Sequence, residues 1–307
     1  MRGQPLDSTS PQVLSVALLF PHTPTSRQSF KILILLKRRF SSWSHPRKNN
    51  AVASNLTTWQ RPYHEPGGGD AMVFFVVYSS LIPDFKVSSS DYRTAGIPAG
   101  VQVRSPNLAQ SEAFPFIDGV YGNVLKSKNA ALFAQIEQAP ECIIIQGVVT
   151  DPSDLNFLRD CVGVVTYLMD LGGIAVLDVQ SMGLYGAADW RRIFFEPQIP
   201  NLRAHVSILF SGEETGGRWY HTRGMRKFGR PDLSLRNVPE EYETAVIDLC
   251  NRFTGLQAEG GQIPEGQEIR MSSLPEGLIC HHKGSMDDFD FNNTHVEIKF
   301  PVHNPLL

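Results

Sequence analysis

The sequence has no CxxC pair, no Walker A run, no GxGxxG fingerprint, no HEXXH helix and no GxSxG elbow. Each missing pattern removes local support for one chemistry: a thiolate metal or redox site, a phosphate-cradling loop, a dinucleotide turn, a zinc peptidase and a serine hydrolase. Long apolar runs are lacking too. The best, Val13 to Phe20 and Ile32 to Leu36, fall short of the roughly 18 residues that a membrane-spanning helix needs. Cysteine is sparse, and Cys142, Cys161, Cys250 and Cys280 lie far apart, three of them inside apolar runs. There Cys acts as a small hydrophobe, so reduced core thiols and an intracellular compartment are expected.

Acids are scarce in one part of the chain only. Residues 1–69 hold nine Lys or Arg against two acids, a net charge of +7, which leaves nineteen bases and twenty-nine acids, net -10, for residues 70–307. The acidic larger part disfavours a nucleic-acid partner, because phosphate binding needs a positive face. The basic part is Ser-, Pro-, Arg- and Asn-rich and ends in the turn-like run Pro66-Gly67-Gly68-Gly69-Asp70. It reads as a disordered extension, 1–70, ahead of one globular domain, 71–307. Its composition fits a mitochondrial transit peptide, with Arg38-Arg39-Phe40-Ser41-Ser42 as a processing-like run, or an extension ahead of a start at Met72. The expected location is cytoplasmic, or the mitochondrial matrix if a transit peptide is present.

What is there reads as a fold. Met72 to Tyr78 is an apolar strand, Lys126 to Gln138 a helix, and Cys142 to Val149 a buried strand. Asp151 is placed to cap a helix starting at Pro152, with Leu155, Leu158, Val162, Val165 and Met169 on one face. Gly172-Gly173 ends it, and Ile174 to Val179 follows as a strand, giving a βαβ crossover with Asp178 at the strand's C-terminal end. A short helix over Ala187 to Phe195, a hairpin of His205 to Phe210 with Arg218 to Thr222, and a helix after Pro239 come next. Strand-like pieces at Gln267 to Met271, Leu278 to His281 and Thr294 to Phe300 close the chain. The sum predicts an α+β (or α/β) single domain, with a mixed sheet containing one βαβ unit and later antiparallel strands, packed by amphipathic helices.

Two clusters could carry chemistry. The run from His221 to Leu233 sets Arg223, Arg226, Lys227 and Arg230 among glycines after a strand. Glycine lets backbone come close, and arginine offers a fork to phosphate or carboxylate, so these four residues are candidates for binding an anionic small molecule or a protein partner. The opposing reading is a solvated, structurally tight turn whose bases pair with the many acids elsewhere. The second cluster, His281, His282, Asp288, His295 and Glu297, has the ligand types of a divalent metal site in a hydrolase. No other cofactor is implied, and no pattern decides whether the protein is an enzyme.

Three stretches, Gln146 to Pro152, Thr222 to Leu233 and Ile263 to Arg270, together resemble an uncharacterised, mainly bacterial family of domains of unknown function, over about residues 146–298. The resemblance brings no activity and no catalytic residue with it.

Overall fold

The computed structural model describes residues 41–42, 56–81, 86–106, 117–213, 217–288 and 290–300. The expectations of disorder or a targeting peptide for the stretches before residue 56 lie outside the described residues, apart from strand β1 (Ser41–Ser42).

The fold is α+β and contains two sheets. Strand β2 (Ala71–Ser79) is buried at every position, which its unbroken apolar sequence requires of a strand covered on both faces. Its alternate residues serve two cores. Val73, Phe75 and Val77 pack with helix α3 (Asn156–Asp170). Met72, Phe74, Val76 and Tyr78 pack with Leu125 and Phe133 of helices α1 (Gly119–Lys128) and α2 (Ala130–Ile136). The first sheet also takes in β3 (Val101–Ser105), β4 (Glu141–Val149), β5 (Gly173–Asp178) and β6 (Gly183–Gly186), in the order β1-β3-β4-β2-β5-β6 with every ladder antiparallel. The crossover β4-α3-β5 is therefore a split one. Its two strands run in the same direction, but β2 lies between them and pairs with both.

The second sheet is mixed. It comprises β7 (Ser207–Gly212), β8 (Arg218–Arg223), β9 (Asp232–Val238), β10 (Cys280–Ser285) and β11 (Asn293–Lys299), in the order β10-β11-β9-β8-β7, with β11 and β9 parallel. One face, carrying Tyr220, Leu233, Leu235, Val296 and Ile298, packs on Val246 and Leu249 of helix α5 (Glu243–Ala258). The opposite face carries His221, Arg223, Asp232, Ser234, Asn293 and His295, all buried. A polar sheet face taken out of water has to be matched group by group.

Several local expectations are corrected. The predicted helix over Lys126 to Gln138 is two helices broken at Asn129, whose side chain accepts from the Leu132 N–H at 3.0 Å. Asp151 does not cap α3. It sits at φ 33 and accepts from the Gly67 N–H at 2.6 Å, while Leu155 N–H donates to the Trp59 carbonyl and Asp154 accepts from the Asn156 N–H at 2.9 Å. The helix starts late because residues 152–155 are held by the segment around Trp59. Gln267 to Met271 forms only a bridge, Glu268 to Ile279, and strand β3 arises at residues 101–105, where the sequence reading places no element. Short helix α4 (Ala187–Trp190) runs into a π-helical turn, Arg191–Phe195, as one continuous unit.

The fold also begins earlier than Asp70. Trp59 is in the core with Leu155 and Leu158. Arg61 is buried, its guanidinium donating to the carbonyls of Pro152 at 2.8 Å, Phe228 at 2.8 Å and Ala258 at 3.2 Å. The glycine run is not a linker: a Cβ on Gly68 would lie 2.0 Å from Arg230 Nη1, and Gly69, at φ +114, lies against the Gly229 carbonyl. A chain beginning at Met72 is therefore expected to lose about 4 kcal/mol or more relative to the full chain in urea denaturation, since burial of one tryptophan alone contributes about 3–5 kcal/mol.

The four cysteines are free and buried, as expected. Burial pushes the Cys142 and Cys250 thiols up to about 12 and Cys280 to about 11. Ellman's reagent should find essentially no reactive thiol in the native protein and all four after unfolding.

Candidate functional site

The two sheets meet at the C-terminal end of β5. A 3-10 turn, Met225–Phe228, leaves β8 and presses back against the first sheet. Glycines bound it for a steric reason. Gly224 has φ +122 and a Cβ there would lie 2.5 Å from the His205 carbonyl; Gly229 has φ +61, with the Gly69 carbonyl 2.3 Å from its Cβ position. The turn drives Lys227 inward until it is wholly buried and ion-paired with Asp178. The other Asp178 oxygen accepts from the N–H groups of Gln180 at 3.1 Å and Ser181 at 3.3 Å. Burial lowers the Lys227 pKa, and Asp178 opposes the shift.

Arg230 is structural as well. It donates to the carbonyls of Gly260 at 2.6 Å and of Gly261 and Gly229 at 3.0 Å. Of the four bases read as anion ligands, Lys227 and Arg230 are thus committed to holding the fold, buried rather than solvated, one on an acid and the other on carbonyls.

Arg223 and Arg226 are placed differently. They line a small cavity of about 40 Å³ at the seam, with Phe74, Gln180, Asp232 and Phe291 among its other walls. Arg223 donates to the Asp290 carbonyl, and Arg226 to the Asn292 carbonyl at 2.8 Å, so both tie down the loop before β11. Arg223 is 8% exposed, yet its buried Nε has no hydrogen-bond partner, and neither amide atom of Gln180 has one. Asp232 accepts from the Thr222 hydroxyl at 3.0 Å, the Met225 N–H at 3.2 Å and the Asn293 amide at 2.9 Å. Burial still pushes its carboxyl up to about 6, against those hydrogen bonds and the Arg223 charge. Nearby, Lys128 donates to the Met182 carbonyl at 2.9 Å, and burial draws its ammonium down to about 8. The cavity has room for about three water-sized groups.

Gln180 and Asp232 were not assigned a role from the sequence. The available signal for Gln180 was its position just past Asp178, where open sheets place ligands. Asp232 gave no signal, because a single acid in a basic run looks like a charge partner.

The residues of the second cluster do not converge. His281 Nδ1 pairs with Glu265 at 2.8 Å, and His282 Nε2 lies 2.7 Å from the Ile263 carbonyl. As neighbours on a strand, they point to opposite faces. His295 stacks on Phe291, with ring centroids 4.3 Å apart, and its Nδ1 is 3.9 Å from Asp288. Asp288 caps the N–H groups of Asp290 and Phe291, and Glu297 meets Lys299 at 3.2 Å. Among the described residues no three His, Cys, Asp or Glu side chains are placed to hold a metal ion.

A larger cavity of about 540 Å³ lies on the far side of α3, lined by Trp59, Tyr92, Arg93, Arg159, Phe194 and Phe195 among others. Its guanidiniums are already matched: Arg93 donates to the Phe195 carbonyl at 2.8 Å, and Arg159 to Asp160 at 2.8 Å and the Thr57 carbonyl at 2.8 Å. It offers apolar walls without a free charged anchor.

Pro152 and Phe228 meet at Arg61, which donates to both carbonyls, and Arg230 holds the Gly260-Gly261 turn. Among the described residues no helix is long and apolar enough to cross a membrane. Family models, curated proteins and solved structures yield no match to the chain.

Proposed function

We propose that the protein binds a compact anionic small molecule in the seam between its two sheets, through Arg223, Arg226 and Gln180. The observation that carries the reading is the set of unmatched polar atoms, Arg223 Nε and both amide atoms of Gln180, on residues lining one cavity. A buried polar group without a partner costs about 1–3 kcal/mol, so a ligand that completes these bonds starts with that advantage. The volume restricts the enclosed part to a head group such as carboxylate or phosphate. Burial of Arg223, Lys227 and Arg230 favours a small ligand over a protein partner, which would need those charges on the surface.

The test is thermal unfolding of the full chain with acetate, lactate and phosphate, each also added to an Arg226→Met variant. A ligand that binds only the folded state at 100 times its Kd stabilises by about 2.7 kcal/mol. At least one anion should raise Tm by several degrees, and the variant should lose that response. No response to any of the three, or an undiminished response in Arg226→Met, contradicts the reading.

A further inference from the structure

We infer that the seam selects an oxyanion that carries a proton, of the hydrogenphosphate kind, over one that carries none; this rests on the anion-binding reading above. The cavity walls are not uniformly basic. Arg223 and Arg226 present donors, but Asp232 stands among the same walls, and an ionised carboxylate can only accept hydrogen bonds. Gln180 adds one unmatched donor and one unmatched acceptor. The wall therefore calls for a ligand with acceptors toward Arg223 Nε and Gln180 Nε2 and a donor toward Gln180 Oε1 or Asp232.

Sulfate, a dianion like hydrogenphosphate but an acceptor on every oxygen, would answer the arginines while leaving Gln180 Oε1 without a donor and setting an unprotonated oxygen against Asp232. Inorganic phosphate has nearly the same size and shape and retains a proton at about pH 8. Its P–O–H group can donate to one wall while its other oxygens accept from the opposite one. The titratable groups around Asp232 come from three elements: Arg223 on β8, Lys227 on the 3-10 turn, and His295, which burial keeps neutral at that pH, facing it across the β9–β11 ladder. The buried Lys227–Asp178 pair is internally neutral, so the Asp232 charge is balanced chiefly by Arg223.

Isothermal titration of the full chain at about pH 8 with inorganic phosphate and with sulfate, repeated on a Gln180→Leu variant, tests the inference. Phosphate is expected to bind about tenfold or more tightly than sulfate, and Gln180→Leu should weaken phosphate and narrow the gap. Equal binding of the two anions by the unmodified chain overturns the proton selectivity and leaves the anion site standing. Binding of neither, or phosphate binding untouched by Gln180→Leu, overturns the seam as the site.

Discussion

Replacing Lys227 by Met is expected to destabilise the protein by about 3–5 kcal/mol, the usual cost of leaving one partner of a buried ion pair alone. The carboxylate left behind, Asp178, is 1% exposed and would keep only the N–H groups of Gln180 and Ser181. The effect should belong to the charge and not to lost packing, since methionine fills most of the lysine's volume. Adding Asp178→Asn to the same chain removes the orphaned charge and retains an oxygen for the two N–H groups. The double variant should therefore recover about 2 kcal/mol or more, a non-additivity that urea denaturation measures directly. Equal instability of the single and double variants would mean that Lys227 acts through shape alone.

The second large effect is with acid. His221 is buried between Trp219, at 4.1 Å between centroids, and Phe291, at 5.6 Å. Burial, with Arg223 next, lowers its pKa to about 3, and burial drives His205 well below its ordinary value as well. A base whose folded pKa is depressed binds more protons when unfolded. Its contribution is complete above the unfolded value near 6.5 and is lost as pH falls toward the folded one. Each histidine therefore removes about 1.4 kcal/mol per pH unit below 6.5. Asp232 has the opposite sign: its raised pKa makes protonation stabilise the fold between its ordinary value and about 6. Two histidines outweigh one aspartate, so these groups give a net loss of about 1.4 kcal/mol per unit from pH 6 to 4. His221→Phe keeps an aromatic ring in the stack and removes one titration. It should be more stable than the parent by about 3 kcal/mol near pH 4.5, with little difference at pH 8. An unchanged acid slope in that variant would place the acid sensitivity elsewhere.

The order and type of most elements were legible because burial on one face or two leaves a period in the sequence. Phe74, Phe75 and Val76 in an unbroken apolar run announced a strand, and Asp178 was correctly set at a strand end. The arrangement of strands was not legible. Nothing in Cys142 to Val149 or in Ile174 to Val179 says that β2 will enter between them, because hydrophobic period reports exposure and not neighbours. Residues 56–70 were misread for a related reason. Glycine and proline look like a linker until the backbone they pack against is known, and here the close approaches of Gly68 to Arg230 and Gly69 to Gly229 are what require them. The site was half legible. Arg223 and Arg226 stood out as bases after a strand, but the sequence could not separate them from Lys227 and Arg230, whose partners, Asp178 and the Gly260-Gly261 carbonyls, lie tens of residues away. Gln180 is an ordinary residue in an ordinary loop until its amide is found unmatched.

The seam site is tested most directly by proton–nitrogen NMR of the Arg223 Nε–H and the Gln180 side-chain amide during titration of the full chain with inorganic phosphate. The account predicts that both signals shift together and saturate with one affinity, while the Arg230 Nε–H, held by the Gly261 carbonyl, stays in place. Phosphate-saturated protein in which the Arg223 and Gln180 signals do not move would contradict it.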